Sequence, residues 1–331
     1  MDSPFSPLEF SLLNAWQRDF PVVERPFQAI AEKVGADETA VLATLKRLQS
    51  RGAISRVGAV FAPRRIGAST LAALAAPAEQ LERIAALVSA RPQVNHNYQR
   101  EHRYNLWFVA TAADSTELMC TLEAIEAETG CAVISLPLEQ EYHIDLGFDL
   151  NSSHKCQAPM ASTETRVPDP LERMLIARLQ PGLTLTPDPF AELARGTGLG
   201  ESKVLDYVSS WIDEGLIKRF GVVVRHHELG FRANAMLVFD VADHQADEIG
   251  WQLASETGVT LCYRRRRNPD WPYNLYCMVH GRSREQVVPI IDRLSQVAGT
   301  PGLPLFSTRR FKQCGARYFS PSAGQQTADH A

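Results

Sequence analysis

The chain is a duplication. Leu8-Glu9 matches Leu171-Glu172, Gly58 matches Gly221 and Gly67 matches Gly230, all at an offset of 163 residues. Tyr98 matches Tyr263 at 165, and Tyr104-Asn105-Leu106 matches Tyr273-Asn274-Leu275 at 169. The later offset persists through Leu136/Leu305 and Leu150/Phe319. Most of the shift comes from four extra residues around RNPDW in the second copy. Two long copies exclude a solenoid of short repeats. Each copy must build its own elements, and the two versions have been able to diverge. Between them, NSSHKCQAPMASTETRVPDP (Asn151–Pro170) is polar, Pro-containing and aperiodic, and reads as a linker.

Each copy opens with three helical segments. In the first, apolar spacing predicts helices over Leu8–Asp19, Phe27–Val34 and Glu38–Ser50; in the second, over Leu171–Leu179, Phe190–Arg195 and Glu201–Glu214. Gly52 and Gly215 follow the third helices, where a helix end calls for positive φ. AISRVGAVF and LIKRFGVVV then alternate as strands do, which predicts a two-stranded wing. Behind each wing comes a β-α-β-β-α-β order. It runs from TLAALAAP to the strand Ala132–Leu138 in copy one, and from NAMLVFDV to Pro304–Ser307 in copy two. The fold class expected is therefore α+β: a tandem winged helix-turn-helix plus ferredoxin-like sandwich. The predicted boundaries are 1–60 and 61–150 for the first winged helix and sandwich, 151–170 for the linker, 171–223 and 224–320 for the second pair, and 321–331 for a tail.

Composition narrows the function. The net charge is −4, a poor start for a nucleic-acid binder. The third helix of copy two carries one lysine against Glu201, Asp206, Asp213 and Glu214, so DNA is an unlikely partner. No apolar run is long enough for a membrane helix, and MDSPFSPLEF lacks the features of a signal peptide, which predicts a cytoplasmic protein. The six cysteines are scattered without metal-binding spacing and read as reduced thiols.

The chemistry concentrates in one segment and its altered duplicate. VNHNYQREHRYNL (Val94–Leu106) carries His96 and His102; VTLCYRRRRNPDWPYNL (Val259–Leu275) carries Leu261 at the place of His96 and the insertion opposite His102. If the stretches are regular strands, period two puts His96 with Tyr98, and His102 with Tyr104, on one sheet face. Histidine is a usual proton donor near neutral pH and a usual iron ligand. Arginines in number, from Arg100 and Arg103 to Arg264–Arg267 and Arg309-Arg310, suit a ligand rich in carboxylates.

A winged helix followed by a ferredoxin-like domain resembles the Lrp/AsnC regulators. Within that frame, HNYQREHRYNLWFV with LPLEQEYHIDLGFDL resembles one subunit type of the siroheme decarboxylases. CYRRRRNPDWPYNLYCMVHG with LFSTRRFKQCGARYF resembles the partner type, so the chain reads as a fusion of the two. The resemblance implies removal of the C12 and C18 acetate carboxyls of siroheme in heme d1 or alternative heme synthesis. It implies no cofactor beyond the substrate's iron, and at least a homodimer. On this reading His96 and His102 are the catalytic residues, either being a possible axial ligand of the iron. Arg100, Arg264, Arg265 and Arg267 are carboxylate clamps, and Tyr98, Tyr104, Trp107, Tyr263 and Tyr273 line the substrate. With the histidines in one copy only, a single competent pocket is expected on the first sandwich. The rival readings are a transcription regulator and a tetrapyrrole sensor without chemistry.

Overall fold

The computed structural model describes residues 5–62, 65–144, 166–225 and 233–320. The linker up to residue 165, the tail from 321, and Leu150 and Gly230 of the repeat lie outside them, as does Cys156. Contacts divide the chain into two units, and both copies contribute to each. One is built from the described parts of 1–67, 161–224 and 315–331, the other from those of 68–160 and 225–314. The units follow element type and not the order of the copies.

In the first unit, α1 (Pro7–Ala15), α2 (Pro26–Val34), α3 (Glu38–Ser50) and β1 (Ile54–Phe61) come from copy one. Copy two supplies α6 (Pro170–Leu179), α7 (Pro189–Ala194), α8 (Glu201–Asp213) and β6 (Ile217–Val224). The start signals are duplicated with the sequence. Ser6 caps α1 and Asp169 caps α6, each in a reciprocal capping box with the glutamate three residues on, and each with proline at the first helical position. Gly52 and Gly215 take φ of 77° and 72°, as the helix ends require. The wing differs from expectation. Each copy supplies one strand, and β1 pairs antiparallel with β6, Gly58 facing Gly221. The partner of each strand is its own duplicate.

The second unit is a closed barrel. Copy one gives β2 (Ala68–Leu74), α4 (Leu81–Ala90), β3 (Val94–Arg100), β4 (Leu106–Ala112), α5 (Ser115–Thr129) and β5 (Val133–Ile144). Copy two gives β7 (Ala233–Phe239), α9 (Ala246–Ser255), β8 (Val259–Arg265), β9 (Leu275–Gly281), α10 (Arg284–Ala298) and β10 (Leu303–Gln313). The strand order is β10-β3-β4-β2-β5-β8-β9-β7, closed by β7 on β10. Each copy thus keeps the ferredoxin-like order, and two seams join them: β10 with β3, and β5 with β8. Closure leaves no sheet edge open.

Strand alternation sorts the side chains into three layers. Ala72, Leu74, Leu106 and Phe108 pack under α4 and α5. Leu237, Phe239, Cys262 and Cys277 pack under α9 and α10. Leu71, Trp107, Leu136, Met236, Tyr276 and Leu305 fill the interior between the two sheets.

Candidate active site

The two seams carry the candidate chemistry. On β3, Asn97 points to the helix layer, donating to Ala85 O at 3.2 Å. His96 and Tyr98 pair with Val109 and Trp107 of the inner face. Their rings stack at 6.3 Å with 17° between planes, so the period-two expectation holds for this pair. Arg100 continues the row: its guanidinium lies 5.8 Å from the Tyr98 ring, and its Nη1 donates to Leu305 O at 2.8 Å. Arg100 is 7% exposed, and its Nε has no hydrogen-bond partner among the described residues. Burial lowers its pKa from 12.5 to about 10, leaving it charged at neutral pH.

Opposite this row, β10 places Arg310 across from Tyr98 and Gln313 across from His96. Gln313 Oε1 accepts from Arg310 at 3.0 Å. Burial raises the Tyr98 pKa, while the charges of Arg310, Arg100 and Arg225 lower it; the net shift is upward. Tyr98 is thus a neutral phenol beside three guanidinium charges. His96 is oriented from behind: Asn95, 2% exposed, sets its Oδ1 at 2.6 Å from His96 Nδ1. An acceptor there holds the proton on Nδ1 and makes Nε2 the ring's proton-exchanging or ligating atom. Asn95 is itself tied to Thr111 of β4 at 3.5 Å.

His102 is in a different setting. β3 ends at Arg100, so His102 and Tyr104 lie in the connection and not on strands. Their rings still stack, at 6.0 Å. Nδ1 of His102 accepts the Tyr104 backbone N–H at 3.0 Å, the bond by which a short polar side chain closes a turn on itself. Burial, and then the Arg103 charge, lower its pKa. The ring is therefore neutral, with its proton on Nε2. Trp271, brought by the insertion, meets it edge-on at 5.2 Å. His96 and the end of β3 are about 13 Å apart at strand rise, so the two histidines sit at opposite ends of the row.

Other residues singled out from sequence separate into two groups. Trp107 is 2% exposed, with its Nε1 donating to Tyr104 O at 2.7 Å, and Tyr104 is 8% exposed; both pack in the inner core with Trp271 and Tyr273. Arg264 is matched by Glu139, Asp243 and Asp247, and Arg267 by Asp240 and Asp243. Their charge is largely met inside the protein. Tyr263 and Arg265 lie together at the second seam. Arg310 is among the arginines that the sequence offers for carboxylates, whereas nothing in the sequence distinguishes Arg225, Gln313 or Asn95. Only the offset of 169, which aligns Arg310 with Glu141, hints in the sequence that position 310 differs between copies.

The comparisons agree with this architecture. A family model described as the siroheme decarboxylase NirDL-like HTH domain matches residues 9–54 and 172–218, and one for an AsnC-like ligand binding domain matches 65–143 and 228–312. The siroheme decarboxylase NirDL subunit of Paracoccus denitrificans is 42% identical over 315 residues, covering 93% of this chain and 96% of that one. The chain belongs to the siroheme decarboxylase family. A second member, from Hydrogenobacter thermophilus, is 30% identical over 321 residues, covering 93% of this chain and 94% of its own length. A crystal structure of the siroheme decarboxylase NirDL in complex with an iron-uroporphyrin III analogue superposes with a TM-score of 0.70 at 26% identity, covering 95% of this chain and 94% of that one. Membership makes the chain a decarboxylase, a carboxy-lyase, built from AsnC-like and HTH domains. No helix among the described residues is long and apolar enough to cross a membrane.

Proposed function

We propose that this siroheme decarboxylase family member removes the carboxyl groups of the C12 and C18 acetates of siroheme, giving 12,18-didecarboxysiroheme for heme d1 or alternative heme synthesis. The observation that carries the reading is the first seam itself. One histidine, held by Asn95, shares a face with a neutral tyrosine and a buried arginine, beside the charges of Arg310 and Arg225. Arg100, which makes no ion pair among the described residues, suits a carboxylate of such a ligand.

In each half-reaction the bond between the acetate methylene and its carboxylate breaks and carbon dioxide leaves. The electron pair of that bond forms the new bond to one proton on the methylene carbon, which becomes a methyl group. His96, protonated, delivers that proton from Nε2 while Nδ1–H stays on Asn95, a general-acid role. Arg100 and Arg310 hold carboxylates that do not react, and Tyr98 donates its phenolic hydrogen bond. No cofactor beyond the substrate's iron is needed. His102 serves as a neutral Nε2–H donor at the far end of the row and keeps the turn closed. The iron-ligand role remains the rival for His96, because the same Nε2 would serve it.

The test is anaerobic incubation of the full chain with siroheme and mass analysis of the tetrapyrrole. Successive loss of two carbon dioxide units is expected; tight binding with unchanged mass would make the chain a sensor or carrier. Loss of turnover in His96→Ala with an unaltered iron spectrum assigns the acid role. Loss of an axial-nitrogen signature would assign the ligand role.

A further inference from the structure

The second seam keeps the arginine, the tyrosine and the backbone frame of the first and replaces three of its side chains. Arg265 Nη1 donates to Leu136 O at 2.9 Å, as Arg100 does to Leu305 O, and Leu136 is the duplicate of Leu305. The guanidinium of Arg265 lies 5.2 Å from the Tyr263 ring and 5.8 Å from that of Tyr276. The backbone frame is the same. Arg100 N bonds Asn105 O and Arg265 N bonds Asn274 O, both at 2.9 Å; Glu101 N and Arg266 N bond Phe306 O and Pro137 O, both at 3.0 Å. Like Arg100, Arg265 has a buried Nε without a hydrogen-bond partner and makes no ion pair among the described residues.

The surroundings diverge. Leu261 stands where His96 stands, and Glu141, facing Tyr263, stands where Arg310 faces Tyr98. The duplicate of Arg225, at the offset of 163, is Ala62. Around the tyrosine, the first seam carries Arg100, Arg310 and Arg225, whereas the second carries Arg265 against Glu141. Keeping an arginine in an apolar setting with no carboxylate is costly, and a well-placed anion offsets that cost. Such a group is kept at that cost if an anion visits it.

We propose that the β5–β8 seam is a second, non-catalytic cleft that takes a carboxylate of a planar tetrapyrrole carrying less negative charge than the substrate. Arg265 receives the carboxylate, Tyr263 and Tyr276 flank it, and Glu141 turns away heavily carboxylated rings. The proposal rests on the reading of the first seam as a tetrapyrrole site. A ring that has lost its acetates fits this description better than one that has not.

The test is equilibrium titration of the full-length protein with two probes, an iron porphyrin bearing two carboxylates and iron uroporphyrin. Two dicarboxylate rings per chain and one uroporphyrin are expected. Arg265→Leu should leave one dicarboxylate ring bound without changing uroporphyrin binding, and His96→Ala should leave both stoichiometries intact. Glu141→Arg should raise uroporphyrin binding from one per chain to two, and it decides the matter should Arg265→Leu not fold. A single dicarboxylate ring in the wild type, or a Glu141→Arg protein still binding one uroporphyrin, overturns the second cleft and leaves the first untouched. Absence of any uroporphyrin binding strikes the proposed function instead.

Discussion

The two seams of the barrel share a backbone and differ in chemistry, which separates what duplication preserves from what it releases. Preserved is the clamp behind each connection. Asn105 accepts from Ala76 N and donates to Ala76 O, at 2.9 and 2.8 Å. Asn274 does the same with Val241 N and O, at 3.0 and 2.9 Å. The repeated Tyr-Asn-Leu is thus a structural signature, kept twice because each sheet needs its backbone groups satisfied. Released is the face of β8 toward the interior, where a leucine replaced or preceded the histidine without disturbing the strand.

The difference is broken most severely at position 96. His96→Ala should lower kcat by about 10²- to 10⁴-fold, the usual range for a positioned acid. Tetrapyrrole affinity, read by spectral titration, should stay within a few-fold, and an equal rate in wild type and variant would remove His96 from the chemistry. Arg100→Met should weaken binding of the substrate by about 10-fold or more, the loss of one charge-assisted contact. The same variant should raise the melting temperature of the ligand-free protein, because an apolar side chain replaces a buried charge. A drop in melting temperature would show that the Leu305 O contact outweighs the cost of burial.

The shared frame predicts equality where the chemistry predicts inequality. Asn105→Ala and Asn274→Ala should each cost about 1–3 kcal/mol in denaturant unfolding, since both strand a buried backbone pair. Values differing by more than about twofold would mean that the seams are not supported alike. The smallest effect belongs to His102. Its pKa is depressed in the fold, so the unfolded chain binds the proton more readily, and stability rises with pH across that window. The stabilisation is present above the ordinary imidazole range and lost as pH falls through the depressed value. Thermal melts from pH 7 downward should show a decline that His102→Gln flattens; an unchanged slope would remove His102 from the linkage.

Much of this was legible before any coordinates. Helix α3 begins and ends where spacing and caps put it, at Glu38 and Ser50. The stacking of His96 on Tyr98 follows from period two alone. Two terminal strands were read too short. Ala132–Leu138 runs on to Ile144, and Pro304–Ser307 extends to Leu303–Gln313. Their added residues are the ones that cross to β8 and β3, and a strand continued by a distant partner leaves no periodic core-facing signal of its own. Arg310 lies in that added part, so its place opposite Tyr98 follows only from the tertiary pairing.

The sequence by itself determined the duplication, the element types, and the presence of the histidines in one copy, because these rest on local spacing and caps. Only the tertiary structure decided which arginines keep an open charge. Arg264 and Arg267 read the same as Arg265 along the chain, yet Asp240, Asp243, Asp247 and Glu139 neutralise the first two and leave the third beside tyrosines. Charge pairing depends on distance in space, and at the seams those distances are set by strands that meet from opposite halves of the chain.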